Sequence, residues 1–62
     1  MNTILTFKHN GHLNKYEIQG EHNHAELIQW CADQNYTYLR HVINNHNNEY
    51  RTENGLKVKL IK

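Results

Sequence analysis

Asn10-Gly11 and Asn54-Gly55 each sit between runs that alternate apolar and polar residues, near opposite ends of a 62-residue chain. Asn and Gly both tolerate the positive φ that tight hairpin turns need, so the pattern predicts two β-hairpins. A two-residue loop at Asn10-Gly11 sets His9 opposite His12, Phe7 opposite Asn14, Leu5 opposite Tyr16 and Thr3 opposite Ile18. That register gathers Leu5, Phe7, Tyr16 and Ile18 on one side and sends Thr6, Lys8, Lys15 and Glu17 to the other. Turn chemistry and hydrophobic pattern agree, which is what a foldable sequence shows. The same loop at Asn54-Gly55 would place Leu56, Val58 and Leu60 beside Glu53, Arg51 and Glu49. A three-residue loop, Glu53-Asn54-Gly55 with Gly55 as a left-handed bulge, instead faces Tyr50 with Val58, Thr52 with Leu56 and Asn48 with Leu60. It also sets Arg51 against Lys57 and Glu49 against Lys59, so the bulged turn is the expectation.

Between the hairpins, Asn23-His24-Ala25-Glu26 has the form of a capping box, with the Asn23 side chain on a first-turn amide and Glu26 reaching back. The helix is expected from about His24 to Gln34, ended by a left-handed Asn35. Leu27, Ile28 and Cys31 form its inward stripe, and Ala32 and Trp30 lie on the margins, which leaves Trp30 half buried. Residues 36–43 are β-branched and aromatic and read as a strand, with Leu39 and Ile43 on one face and Tyr36, Tyr38, Arg40 and Val42 on the other. Leu39, Val42 and Ile43 also fit a helical stripe, an arrangement that resembles a winged helix-turn-helix without its small residue and turn glycine. Residues 44–48 form a polar loop. The expected architecture is α+β, a single helix packed on one face of a small antiparallel sheet in the order ββαβββ, within one compact domain spanning residues 1–62; the winged helix-turn-helix is the alternative.

A chain of this length builds a small core and leaves little room for a catalytic cleft. Its mean hydropathy of -0.96 is low for a folded protein, but the apolar residues are too regularly placed for a disordered one. The single cysteine, Cys31, excludes an intramolecular disulfide framework and fits a reducing, cytoplasmic setting. No apolar run is long enough for a membrane span, and the first residues do not read as a signal peptide.

With these registers, the face away from the helix carries Lys8, Lys15, Arg40, Arg51, Lys57 and Lys59 against Glu17 and Glu49. Six cations thus oppose two carboxylates on a chain whose formal net charge is +1. Glu21, Glu26, Asp33 and Glu53 fall on the helix side or in turns, so the molecule is expected to be electrically two-sided. Tyr36 and Tyr38 join the basic residues there. Cations and rigid aromatic rings on one surface fit a binding face, while lysines also serve simply to keep a sheet soluble and its edges unpaired.

Six histidines raise the question of a metal. His22-x-His24 and His9-x-x-His12 are close pairs and Cys31 adds a thiol, but the spacing matches no structural zinc pattern, and no metal or cofactor is expected. Cys31 on an inward stripe behaves as a small hydrophobe, and the chain contains no serine. Nothing in the residues points to an enzyme.

Binding is therefore the expected activity, carried by Lys8, Lys15, Tyr36, Tyr38, Arg40, Arg51, Lys57 and Lys59. A domain this short without a catalytic signature is similar in size and simplicity to phage-encoded counter-defence proteins such as anti-CRISPRs, a likeness of kind that carries no residue over. It implies a non-enzymatic inhibitor or regulator, phage- or mobile-element-encoded, that docks on a host protein or ribonucleoprotein complex. The alternative is direct RNA or DNA binding, with Tyr36 and Tyr38 stacking on bases and the lysines holding phosphate, or with Arg40, His41, Asn44 and Asn45 of a helix-turn-helix in the major groove. A pI of about 8.0 is low for a dedicated nucleic-acid domain. No membrane partner is expected, and an unpaired edge strand invites a homodimer.

Overall fold

The computed structural model describes residues 1–45 and 50–61, with Leu60 and Ile61 described by their backbone only. β1 (Asn2–His9) and β2 (His12–Gln19) form the first hairpin. Asn10 (φ 53°) and Gly11 (φ 77°) both adopt the left-handed backbone that a two-residue hairpin turn requires. The register is the expected one, with His9 opposite His12, Leu5 opposite Tyr16 and Thr3 opposite Ile18. α1 (His24–Asp33), β3 (Thr37–Asn44), β4 (Arg51–Glu53) and β5 (Leu56–Ile61) follow. The five strands form one antiparallel sheet in the order β3-β1-β2-β5-β4. With α1 on one face, this is the α+β, ββαβββ architecture, and β3 lying along β1 removes the second helix of the winged alternative.

Local chemistry sets both ends of α1. The Asn23 side chain accepts the Glu26 amide at 2.9 Å, while the Glu26 carboxylate meets the His22 ring at 3.1 Å. At the other end Asn35 is left-handed (φ 61°). Its amide donates to the Ala32 carbonyl at 3.2 Å and the Tyr36 amide to that of Cys31 at 2.8 Å, the paired bonds of a Schellman termination. The connection from β2 into α1 is pinned by Thr3, whose buried hydroxyl donates to the Gly20 carbonyl at 2.9 Å and accepts the His22 amide at 3.0 Å.

Among the described residues, the core consists of Leu5, Phe7, Tyr16, Ile18, Leu27, Trp30, Cys31 and Val58. Phe7 is its centre. The Tyr36 ring stacks on it at 4.3 Å, Tyr16 meets it edge-on at 5.0 Å and Trp30 at 6.3 Å. Such pairs contribute roughly 0.5–1.5 kcal/mol each beyond the area they bury. The helix is rotated from the expected setting: its inward stripe is Leu27, Trp30 and Cys31, and Ile28 is 42% exposed. Trp30, expected to be half buried, is only 9% exposed, because its indole lies between Tyr16 and Tyr36 with its N–H on the Asn54 carbonyl at 3.2 Å.

The second hairpin corrects the bulged turn. Glu53 faces Leu56, Thr52 faces Lys57 and Arg51 faces Val58, so the loop is the two residues Asn54 (φ 52°) and Gly55 (φ 88°). The objection to this register was charge beside the core, and polar groups at the core margin answer it. The Tyr16 hydroxyl donates to the Glu53 carboxylate at 3.0 Å, and β4 is an edge strand on which Arg51 stays exposed. The expected pairings of Asn48 and Glu49 lie outside the described residues.

Two predictions follow from this packing. Leu27→Ala should cost about 2–5 kcal/mol in urea denaturation and Ile28→Ala about 0.5 kcal/mol or less, the reverse of what an Ile28-centred stripe would give. Burial, then the Glu53 hydrogen bond and charge, push the Tyr16 hydroxyl well above its free value of 10.0, and burial pushes the Cys31 thiol above 9.0. In both cases the folded chain favours the protonated form. Their contribution to stability is therefore intact below about pH 9 and is lost as pH rises through that point and past 10. Tyr16→Phe should cost about 1 kcal/mol at neutral pH and flatten the alkaline part of the stability profile.

Candidate binding surface

On β1 and β2 the open face of the sheet is formed by Asn2, Ile4, Thr6, Lys8, Leu13, Lys15, Glu17 and Gln19, the alternate residues to those in the core. Pairing with β3 and β5 extends it in rows. One row reads Arg40, Thr6, Lys15; the next reads Val42, Ile4, Glu17, Lys59; and Lys57 lies beside Thr52 at the far edge. Arg40 and Lys15 are two strands apart, about 10 Å at their bases, and Lys8 lies two residues along from the Thr6 between them. All five cations, Lys8, Lys15, Arg40, Lys57 and Lys59, are exposed.

Glu17 is the sole acid on this face among the described residues, and it is covered there by Asn2 and Tyr50. It is 3% exposed, with its carboxylate accepting the Asn2 amide nitrogen at 2.9 Å and the Tyr50 hydroxyl at 2.6 Å. Its carboxylate is engaged by Asn2 and Tyr50. Among the described residues, the exposed charged side chains of this face are all cations.

Three of the eight residues expected on this face are elsewhere. Tyr36 and Tyr38 lie on the helix side, Tyr36 stacked on Phe7 and Tyr38 paired opposite Phe7. Two devices set that phase. The Schellman turn delivers Tyr36 directly over the core, and a bulge at Leu39, the residue without a partner between Tyr38 and Arg40, shifts the alternation so that Tyr38 and His41 both fall on the helix side. Arg51 is also on the helix side, at the β4 edge opposite Val58, with Glu53 at 3.9 Å. Glu49, the second acid expected on the open face, lies outside the described residues.

Among the described residues, the other acids are Glu21 in the connection before α1, Glu26 and Asp33 on α1, and Glu53 beside Arg51 on β4. A shallow groove of about 300 Å³ between α1 and the second hairpin has an apolar floor of Leu27, Trp30 and Leu56 and an acidic rim of Glu26 and Asp33. Near the other flank of α1, the Tyr38 hydroxyl lies between two imidazoles, 3.1 Å from His24 Nδ1 and 2.6 Å from His41 Nδ1. This trio was not legible in the sequence, because it needs the bulge to bring Tyr38 and His41 to one side.

Among the described residues, no three of His, Cys, Asp and Glu are arranged to hold a metal ion. Cys31 is buried with its thiol held protonated, the state in which sulfur is a poor nucleophile and a good packing group. No helix among the described residues is long and apolar enough to cross a membrane. No family model matches the chain, and neither a curated protein nor a solved structure is similar enough to count as a match.

Proposed function

We propose that this protein is a small non-enzymatic inhibitor or regulator that docks its basic sheet face on an acidic surface of a protein partner, within an assembly that handles nucleic acid. One observation carries the reading: five exposed cations share a face whose sole described acid is buried beneath Asn2 and Tyr50. Cations so placed steer an acidic partner and fix its orientation, while Leu13, Ile4 and Val42 on the same face supply apolar contact. An acidic patch on a protein partner, or an acidic mimic of nucleic acid, fits that charge. A phage- or mobile-element-borne counter-defence protein is the setting that size and simplicity suggest.

Direct nucleic-acid binding loses its stacking platform, since Tyr36 and Tyr38 face the core side. What remains for that reading is phosphate contact by five side chains.

A photo-crosslinking amino acid at position 15 or 40 is expected to yield adducts in a host lysate that disappear when Lys57 and Lys59 are changed to Glu, while the same group at position 26 or 33 yields none. Adducts arising from the helix side, or unaffected by the charge reversal, would overturn the proposed face. Fluorescent single- and double-stranded oligonucleotides should bind no tighter than the roughly 10⁻⁴ to 10⁻⁶ M of non-specific phosphate contact at physiological salt. Nanomolar binding there would replace the protein partner with a nucleic acid.

A further inference from the structure

The two edges of the sheet are β4 and β3, and they are treated differently. β4 is three residues long and carries Arg51 and Glu53, the usual protection of an exposed edge. β3 is eight residues long, its one charged residue is Arg40, and Leu39, Val42 and Ile43 are each 42–43% exposed. The bulge at Leu39 interrupts β3, but from Arg40 to Asn44 it is a regular run paired residue by residue with Thr6 to Asn2. Among the described residues, no strand pairs with the far side of that run.

We infer that the Arg40–Asn44 edge pairs with the same run of a second copy of this chain, antiparallel about a two-fold axis at Val42. The run is centred on Val42, so this register uses all five residues. It sets Val42 against Val42 of the second copy, Arg40 against Asn44, and His41 against Ile43. The lone cation thus meets an amide rather than another cation, and the half-exposed valine meets its own kind on the axis. Centring one residue back, on His41, would set Arg40 against valine and leave Ile43 and Asn44 without partners from the run. A two-fold normal to the sheet also keeps both open faces on the same side. The product is a continuous ten-stranded sheet, five strands from each copy, whose one side carries the five described cations of both. An interface built on one strand pair is at the small end of the range, so a dissociation constant on the order of 10⁻⁶ to 10⁻⁵ M is expected.

This inference does not depend on what the basic face binds, and its test needs no partner. Sedimentation equilibrium of the purified chain should show a concentration-dependent dimer. Val42→Arg, which puts two guanidinium groups together on the axis, should weaken it roughly tenfold or more with the circular dichroism spectrum unchanged. Thr52→Arg on the β4 edge should leave it intact. Val42→Cys provides a check that does not rely on disruption. Cross-strand cysteines facing each other on the axis fall within the Cα separation that a disulfide spans, so mild oxidation should give a covalent dimer, while Thr52→Cys forms no covalent link. A monomer at about 100 µM, ten times the weaker of those constants, would overturn the inference. So would a dimer lost on Thr52→Arg but not on Val42→Arg, or failure of Val42→Cys to cross-link.

Discussion

The stacking of Tyr36 on Phe7 decides which side of this sheet is aromatic and which is basic. Phe7 comes from the first hairpin, whose register is locked by its turn. Tyr36 arrives from the end of the helix, aimed by a left-handed Asn35. Once these rings meet, Trp30 is held against both, its N–H reaches the Asn54 carbonyl of the second hairpin, and every element of the chain is tied to one aromatic centre. In a chain this small, with eight buried apolar residues in its core among those described, that concentration of contact takes the place of a larger hydrophobic interior.

The consequence for the surface is a separation of roles. Aromatic rings and their polar tips are used on the helix side, where Tyr16 bonds Glu53 and Tyr38 lies between His24 and His41. The exposed charges of the open face are lysine and arginine, with Glu17 covered by Asn2 and Tyr50. A face built this way attracts anionic surfaces, while Tyr36 and Tyr38 are on the other side and the Tyr50 hydroxyl is engaged on Glu17. The proposed protein docking rests on that distinction.

Much of this was legible in the residues. The first hairpin, its register and its facial sorting followed from one Asn-Gly and an alternating pattern, and both helix ends followed from Asn23 and Asn35. What sequence reasoning missed has a common cause: polar partners and irregularities that exist only in three dimensions. The second turn seemed to demand a bulge because Glu53 beside the core looked costly, and nothing local in the sequence announced that the Tyr16 hydroxyl would receive it. The actual bulge was in β3, at Leu39, where a single extra residue inverted the placement of Tyr38 that strict alternation gives. Trp30 was misjudged for a similar reason. Its helical position is marginal by periodicity, yet an indole that can bury its ring and satisfy its N–H at one site rotates the whole helix toward itself.

The central claim is that the two sides of the molecule differ in charge and chemistry, with the five cations on one and Tyr36 and Tyr38 on the other. Amide-by-amide NMR relaxation in the presence of a small anionic paramagnetic probe measures this directly. The account predicts strong, salt-sensitive broadening around Lys8, Lys15, Arg40, Lys57 and Lys59, and little around Tyr36 and the exposed turns of α1. Even broadening over the whole surface, or broadening concentrated at Tyr36 and α1, would contradict it.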